Sequence, residues 1–225
     1  GFGYSVFEHS SHGIHQELTV FVPKQETVKI SILKLKNESD EPRTLSLTYY
    51  IRPVLGVCED NTTPYIVTSV HEDSGILLAN NHFNTDYPNR ILFVDASVKE
   101  RTYTGDRYEF MGLVHQMDYP EGLRKYELSN KVGAGYEPCI AMQVKIHIPS
   151  GEEKKVVFML GQSRNLLQIL TICNKYRNID EAEKALCEVK EFWEDILGVI
   201  KIKTPDLSTD LMLNGWLLYQ TISCR

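Results

Sequence analysis

The chain has 225 residues, 42 % of them apolar, with 24 Lys and Arg against 30 Asp and Glu for a net charge of −6. That apolar share is enough to close a core and excludes a disordered tail, and the weakly acidic balance argues against nucleic acid or an anionic membrane as the main partner. No apolar run reaches the roughly 18–20 residues of a membrane span.

The opening residues, GFGYSVFEH, lack the basic head and apolar segment of an export signal, so a cytoplasmic place is expected. The missing initiator Met reads as a trimmed or internal start. His9, His12 and His15 recur every third residue, which suggests a metal site, but in one strand His12 would point away from the other two, and no metal is expected. Gly1 to Tyr4 resembles a glycine-rich loop without the Lys-Ser/Thr or helix that phosphate binding needs. Ser10, Ser11, Glu8 and the nearby histidines are close in sequence, which says little about triad geometry.

From Glu17 to about residue 162 short runs alternate apolar and polar residues between turn signals. Val28, Ile30 and Ile32 alternate with Lys29 and Ser31, after which Leu33 and Leu35 take the opposite phase. A one-residue slip moves the apolar set to the other face, so a bulge is expected near Ile32. Leu45, Leu47, Tyr49 and Ile51 form the next face, ended by Pro53. Met142, Val144, Ile146 and Ile148 form another, closed by Pro149-Ser150-Gly151, and Val156 to Leu160 reads as a central strand. Strands without intervening helices imply antiparallel sheets, and two stacked sheets are the simplest way to hide one face of each.

At Ser163 the period changes to about 3.6. Ser163 is expected to cap a helix through Leu166, Leu167, Leu170, Cys173 and Tyr176. Asp180 with Glu183 resembles a capping box, followed by a stripe of Ala182, Leu186, Val189, Phe192 or Trp193 and Ile196 that should pack on the sandwich, with Gly198 as the stop. A short extended piece leads to Thr204-Pro205, which opens a third helix whose Leu207, Leu211, Leu218 and Ile222 share a face. The five cysteines (Cys58, Cys139, Cys173, Cys187, Cys224) are odd in number, and no two lie two to four residues apart. Free, mostly buried thiols in a reducing compartment follow, rather than a disulfide framework or a zinc site.

Six blocks carry a resemblance: GFGYSVFEH, HGIHQELTVFVP from His12, TGDRYEFMG from Thr104, VGAGYEPCIAMQ from Val132, VVFMLGQ from Val156, and TPDLSTDLMLNGWLLYQTISCR from Thr204. In this order and spacing they resemble the inverting phosphorylase family of cellobiose phosphorylase, cellodextrin phosphorylase and the cyclic β-1,2-glucan synthases, formerly glycosyltransferase family 36 and now glycoside hydrolase family 94. The wording most resembles the branch of the cyclic β-1,2-glucan synthases and β-1,2-oligoglucan phosphorylases. The resemblance implies a mainly β fold, an antiparallel sandwich of the galactose-mutarotase supersandwich type at 1–162, linker helices at 163–203, and at 204–225 the first helix of an (α/α)₆ barrel.

In that family the general acid is an Asp on the barrel and the phosphate ligands also come from the barrel. None of those motifs occurs here, so no catalytic residue is carried over. Inorganic phosphate is expected as co-substrate of the parent enzyme, with no other cofactor. The implied partners are a β-glucan oligosaccharide, the downstream barrel of the same chain and a second copy in a homodimer. The parent can carry membrane segments elsewhere. The implied role is a non-catalytic domain that shapes the catalytic cleft, with an independent carbohydrate-binding module or a mutarotase-like enzyme as alternatives. For sugar contact, the turn Thr104 to Arg107 is the first candidate: Asp106, Arg107 and Glu109 can bond hydroxyls while Tyr103 offers a ring face. Its structural alternative is a turn in which Arg107 pairs with a neighbouring acid. Tyr4 and Glu8, beside Phe7, form a second surface.

Overall fold

The computed structural model describes residues 2–113 and 117–224. Among the described residues ten strands build a two-sheet sandwich: β1 (Tyr4–Ser11), β2 (Ile14–Phe21), β3 (Val28–Asn37), β4 (Arg43–Ile51), β5 (Ile66–Val70), β6 (Leu77–Asn81), β7 (Ile91–Ala96), β8 (Arg101–Asp106), β9 (Pro138–Ile148) and β10 (Glu153–Ser163). The larger sheet runs β1-β2-β3-β10-β7-β6-β5 and the smaller β4-β9-β8, with every pairing antiparallel.

The alternation therefore starts earlier than the apolar pattern showed, at Tyr4 rather than Glu17. β1 and β2 form a hairpin turned by His12 and Gly13, both with positive φ (52° and 75°), a pair that suits the right-handed strand twist. The turn changes the geometry expected for the histidines. Ser10 faces His15 across the ribbon, with Ser10 Oγ 2.8 Å from His15 Nδ1, and His9 faces Gln16. His9 and His15 thus lie on opposite faces of the hairpin.

The bulge expected near Ile32 is not where the structure puts one, because β3 pairs with β2 and β10 in unbroken register across that residue. The change of apolar phase has another cause. The larger sheet is covered on both faces, by the smaller sheet on one side and by helices on the other. Val28, Ile30 and Ile32 belong to the helix-side core, Leu33 and Leu35 to the core between the sheets. Neighbouring strands alternate likewise: Val157 and Met159 of β10 face the helices, Val156 and Phe158 the smaller sheet. The register shift falls in β8 instead, between Thr104 and Asp106. There a Cβ on Gly105 would lie 2.3 Å from Thr68 Oγ1 of β5, so the missing side chain lets the edge of the smaller sheet settle on the edge of the larger.

The helix layer consists of α3 (Leu166–Tyr176) and α4 (Ile179–Leu197), numbered after two short helical turns, α1 (Glu59–Thr62) and α2 (Arg107–Met111). The caps differ from expectation. Asn165 caps α3, its side chain accepting from Leu167 N at 2.8 Å, while Ser163 is still paired in β10 with Ile91. Asn178 caps α4 through Asp180 N, and Glu183 is drawn instead to Lys155 Nζ of β10, 2.5 Å away. The apolar stripe of α4 packs on the sheet as expected: Ala182, Ala185 and Val189 are buried, Leu186 and Trp193 lie against them, and α4 ends at Gly198.

One carboxylate joins all three layers. Asp95 of β7 is fully buried and accepts from Arg101 Nη1 at the start of β8 (2.5 Å) and from Arg177, just beyond α3, through Nε (2.8 Å) and Nη2 (3.1 Å). Of the cysteines, Cys139 and Cys173 are buried, whereas Cys58, Cys187 and Cys224 are exposed, so most thiols here are not core residues.

The third helical stretch is broken in two. Asp206, not Pro205, sets its start by accepting from Ser208 N and Thr209 N; α5 (Leu207–Leu211) then passes through a π turn at Met212–Trp216 into α6 (Leu217–Ser223). Asn214 in that turn exchanges two 2.7 Å hydrogen bonds with the backbone of Ile202. The shared face of Leu207, Leu211, Leu218 and Ile222 is exposed, at 72, 65, 39 and 42 %.

Candidate functional site

The β8–α2 corner is held by its own polar groups. Asp106 caps α2, its carboxylate accepting from Tyr108 N at 2.9 Å. Arg107 Nη1 donates to Glu137 Oε1 at 2.5 Å, and the same oxygen accepts from Arg52 Nη2 at 3.0 Å. Arg52 also pairs with Glu59 of α1, so a string of alternating charges runs from α2 to α1. Burial would lower the Arg107 pKa, but its hydrogen bonds to Glu137 and Tyr50 outweigh that and hold it cationic. Burial, with Asp106 and Glu109 nearby, pushes the Cys139 thiol up to about 12, so it packs as a neutral group.

Glu109 ties the neighbouring loop down. It accepts from Thr104 Oγ1 at 2.6 Å, from Ser129 N at 2.9 Å and from Ser129 Oγ. Burial would raise its pKa, but the bonds from Ser129 and Thr104 prevail and lower it. A carboxyl whose folded value lies below its unfolded value stabilises fully above the latter, about 4.3, and loses that contribution as pH falls through the depressed value. Glu109→Gln is therefore expected to cost about 1.5–3 kcal/mol at pH 7, as for hydrogen bonds to a charged group. The gap to the parent chain should narrow toward pH 3, read from chemical unfolding at stepped pH. A constant gap over that range would show that the charge of Glu109 does not matter.

Tyr103 packs into the inter-sheet core, and its backbone N donates to Asn130 Oδ1 at 3.0 Å. The structure thus brings Tyr103, Asp106, Arg107 and Glu109 to one corner, largely through bonds among themselves and their neighbours. It does not bring Tyr4 and Glu8 to that corner. Both lie on β1, the edge of the larger sheet opposite β5, where Lys190 Nζ sits 4.8 Å over the Tyr4 ring and Glu8 is exposed.

A second surface escaped the sequence reading. Between α1 and the loop that follows β6 lies a cleft of about 600 Å³. Tyr65 and Phe83 stack in its wall with ring centroids 4.5 Å apart and planes 12° from parallel. Tyr87, Asp86 and Arg90 also line it. The cleft gathers residues from four separate stretches, 55–65, 81–87, 90–92 and 162, and no local motif marks them; the one visible hint was a loop with two aromatics, HFNTDYPNR, between strands.

A large antiparallel sandwich with helices laid across the free face of its larger sheet is the architecture of a supersandwich domain. The glycosyl hydrolase 94 supersandwich model matches residues 1–179, and the chain belongs to that family. Among curated proteins it is 31 % identical to the cyclic β-(1,2)-glucan synthase NdvB of Rhizobium meliloti (strain 1021), over all of this chain and 8 % of that protein. It is 25 % identical to the N,N'-diacetylchitobiose phosphorylase of Vibrio furnissii, over all of this chain and 28 % of that protein. The chain thus spans well under a third of either relative. A bacterial glucoamylase solved with acarbose superposes with a TM-score of 0.49 at 8 % identity, over 82 % of this chain and 25 % of that one, and nothing about function follows from it. Among the described residues no helix is long and apolar enough to cross a membrane.

Proposed function

We propose that this chain is the non-catalytic sandwich of an enzyme that phosphorolyses or builds β-glucosidic bonds, packing beside a helical catalytic barrel, shaping its cleft and joining a homodimer in the cytoplasm. The observation that carries the reading is the family match over 1–179 together with alignment of all of this chain to part of a glucan synthase and part of a disaccharide phosphorylase. The exposed apolar face of α5 and α6 supports it, since a face of that kind needs a cover. In an inverting phosphorolysis a carboxylic acid protonates the leaving oxygen while phosphate attacks from the opposite side. The corner at Arg107 braces itself with Glu137, Glu109 and Ser129, which suits a wall of the cleft better than a proton donor.

The test is an assay of this 225-residue chain alone with phosphate and β-1,2-glucan, cellobiose or N,N'-diacetylchitobiose. No sugar 1-phosphate should form, while the parent enzyme releases it from one of the three. Turnover by the isolated chain would defeat the proposal.

A further inference from the structure

We infer that the cleft at Tyr65 and Phe83 is a binding site for a neutral gluco-oligosaccharide, one pyranose ring lying on the stacked pair. This deepens the proposed function by placing sugar on this chain itself, and it uses residues outside the β8–α2 corner.

Three features point to that ligand. The first is the exposed aromatic surface: Phe83 is 71 % and Tyr87 59 % exposed on the same loop. The apolar face of a pyranose is a fitting cover for such rings. The second is the rigidity of the loop. Asn81 Nδ2 and Asn84 Nδ2 both donate to Leu55 O, at 3.0 and 3.1 Å. Phe83 N donates to Asn81 Oδ1, and the backbone N of Asp86 and of Tyr87 to Asn84 Oδ1, each at 3.0 Å. Leu55 holds a left-handed φ of 45° to offer that carbonyl, a conformation costly to a residue with a Cβ. Rings fixed in advance lose little freedom when a ligand arrives.

The third feature is the charge pattern. Arg90 Nη1 donates to Gln162 Oε1 at 2.7 Å. Among the described residues neither Arg90 nor Asp86 is in an ion pair. A guanidinium and a carboxylate that line one cleft without neutralising each other suit hydroxyl groups, which both accept and donate. An anionic ligand would meet Asp86 and a cationic one Arg90, so a neutral sugar fits best. The volume, about 600 Å³, falls within the range of small-molecule sites.

The experiment is a calorimetric and NMR titration of this chain with sophorose, cellobiose and a β-1,2-linked glucotetraose, with inorganic phosphate and glucose 1-phosphate as anionic comparisons. Saturable binding of a neutral gluco-oligosaccharide is expected, with shifts confined to residues 55–65 and 81–92. Phe83→Ala should weaken it at least about tenfold with the melting temperature held, because the side chain is mostly exposed. Tyr87→Ala on the same loop is the second variant, and either folded variant decides the matter. Three results would overturn the inference: no saturable binding of any neutral sugar up to about 10 mM, binding that a folded Phe83 or Tyr87 variant leaves intact, or preference for the anions. Failure here leaves the non-catalytic reading standing, and turnover by the isolated chain would remove that reading without touching this site.

Discussion

Asp95→Ala should lower the unfolding free energy by about 3–5 kcal/mol, the usual penalty for breaking a buried charge network from one side. Asp95 has no exposed surface, and it is the shared acceptor for Arg101 and Arg177. Those two cations come from different layers, the smaller sheet and the end of α3. Removing the carboxylate leaves two guanidiniums near one another with their counter-charge gone, and Arg101 has only 5 % of its side chain exposed. Arg177 keeps its bond to Ser74 O and has 16 % of its side chain exposed, so the uncompensated charge weighs most on Arg101. Urea unfolding should show the midpoint falling with a similar slope, the near- and far-ultraviolet signals moving together. A loss below about 1 kcal/mol, the scale of a surface pair, would mean the triad is ornamental to stability.

The second large effect belongs to Phe93. It is fully buried in the helix-side core, and its ring lies over Gly161 of β10, directly across the strand pair. Phe93→Ala is expected to cost about 3–5 kcal/mol through lost burial and the cavity left behind. The reverse insult, Gly161→Ala, puts a Cβ 2.3 Å from Phe93 Cζ and 2.6 Å from Thr27 O. Overpacking of that kind costs about 1–3 kcal/mol. With both changes the ring clash is gone and only the backbone contact remains, so the double variant should lose less than the two singles added. Guanidinium unfolding of the three variants gives the cycle directly. Strict additivity would mean that Phe93 and Gly161 do not meet.

Much of this architecture was legible in the residues because burial leaves a period. β4, β9, β10 and the stripe of α4 each announced themselves through alternation or a 3.6 spacing, and Gly198 marked a real stop. What the period could not convey was how many layers cover a strand. β3 wrote two faces into one run, Val28 to Ile32 for the helices and Leu33 to Leu35 for the smaller sheet, and a single-sided reading turned that into a bulge. Caps went astray for a related reason. Ser163 and Glu183 had the right chemistry in the right order, but partners distant in sequence, Ile91 across the sheet and Lys155 on β10, claimed their strand pairing and their charge. The corner at Arg107 was visible as a turn, while Glu137 lies thirty residues further on in the chain and cannot be named without the fold. The aromatic cleft is the extreme case, since its walls meet only after β5, β6, β7 and β10 have paired.

The two-sided larger sheet has a consequence for how the domain comes apart. Its inner strands contribute side chains to both cores by turns, so neither core can loosen without dragging the shared backbone of β10, β7 and β3 with it. The sandwich interior and the helices that follow it in sequence are accordingly one melting unit, and α3 and α4 are no detachable tether but the lid that keeps half of the sheet dry.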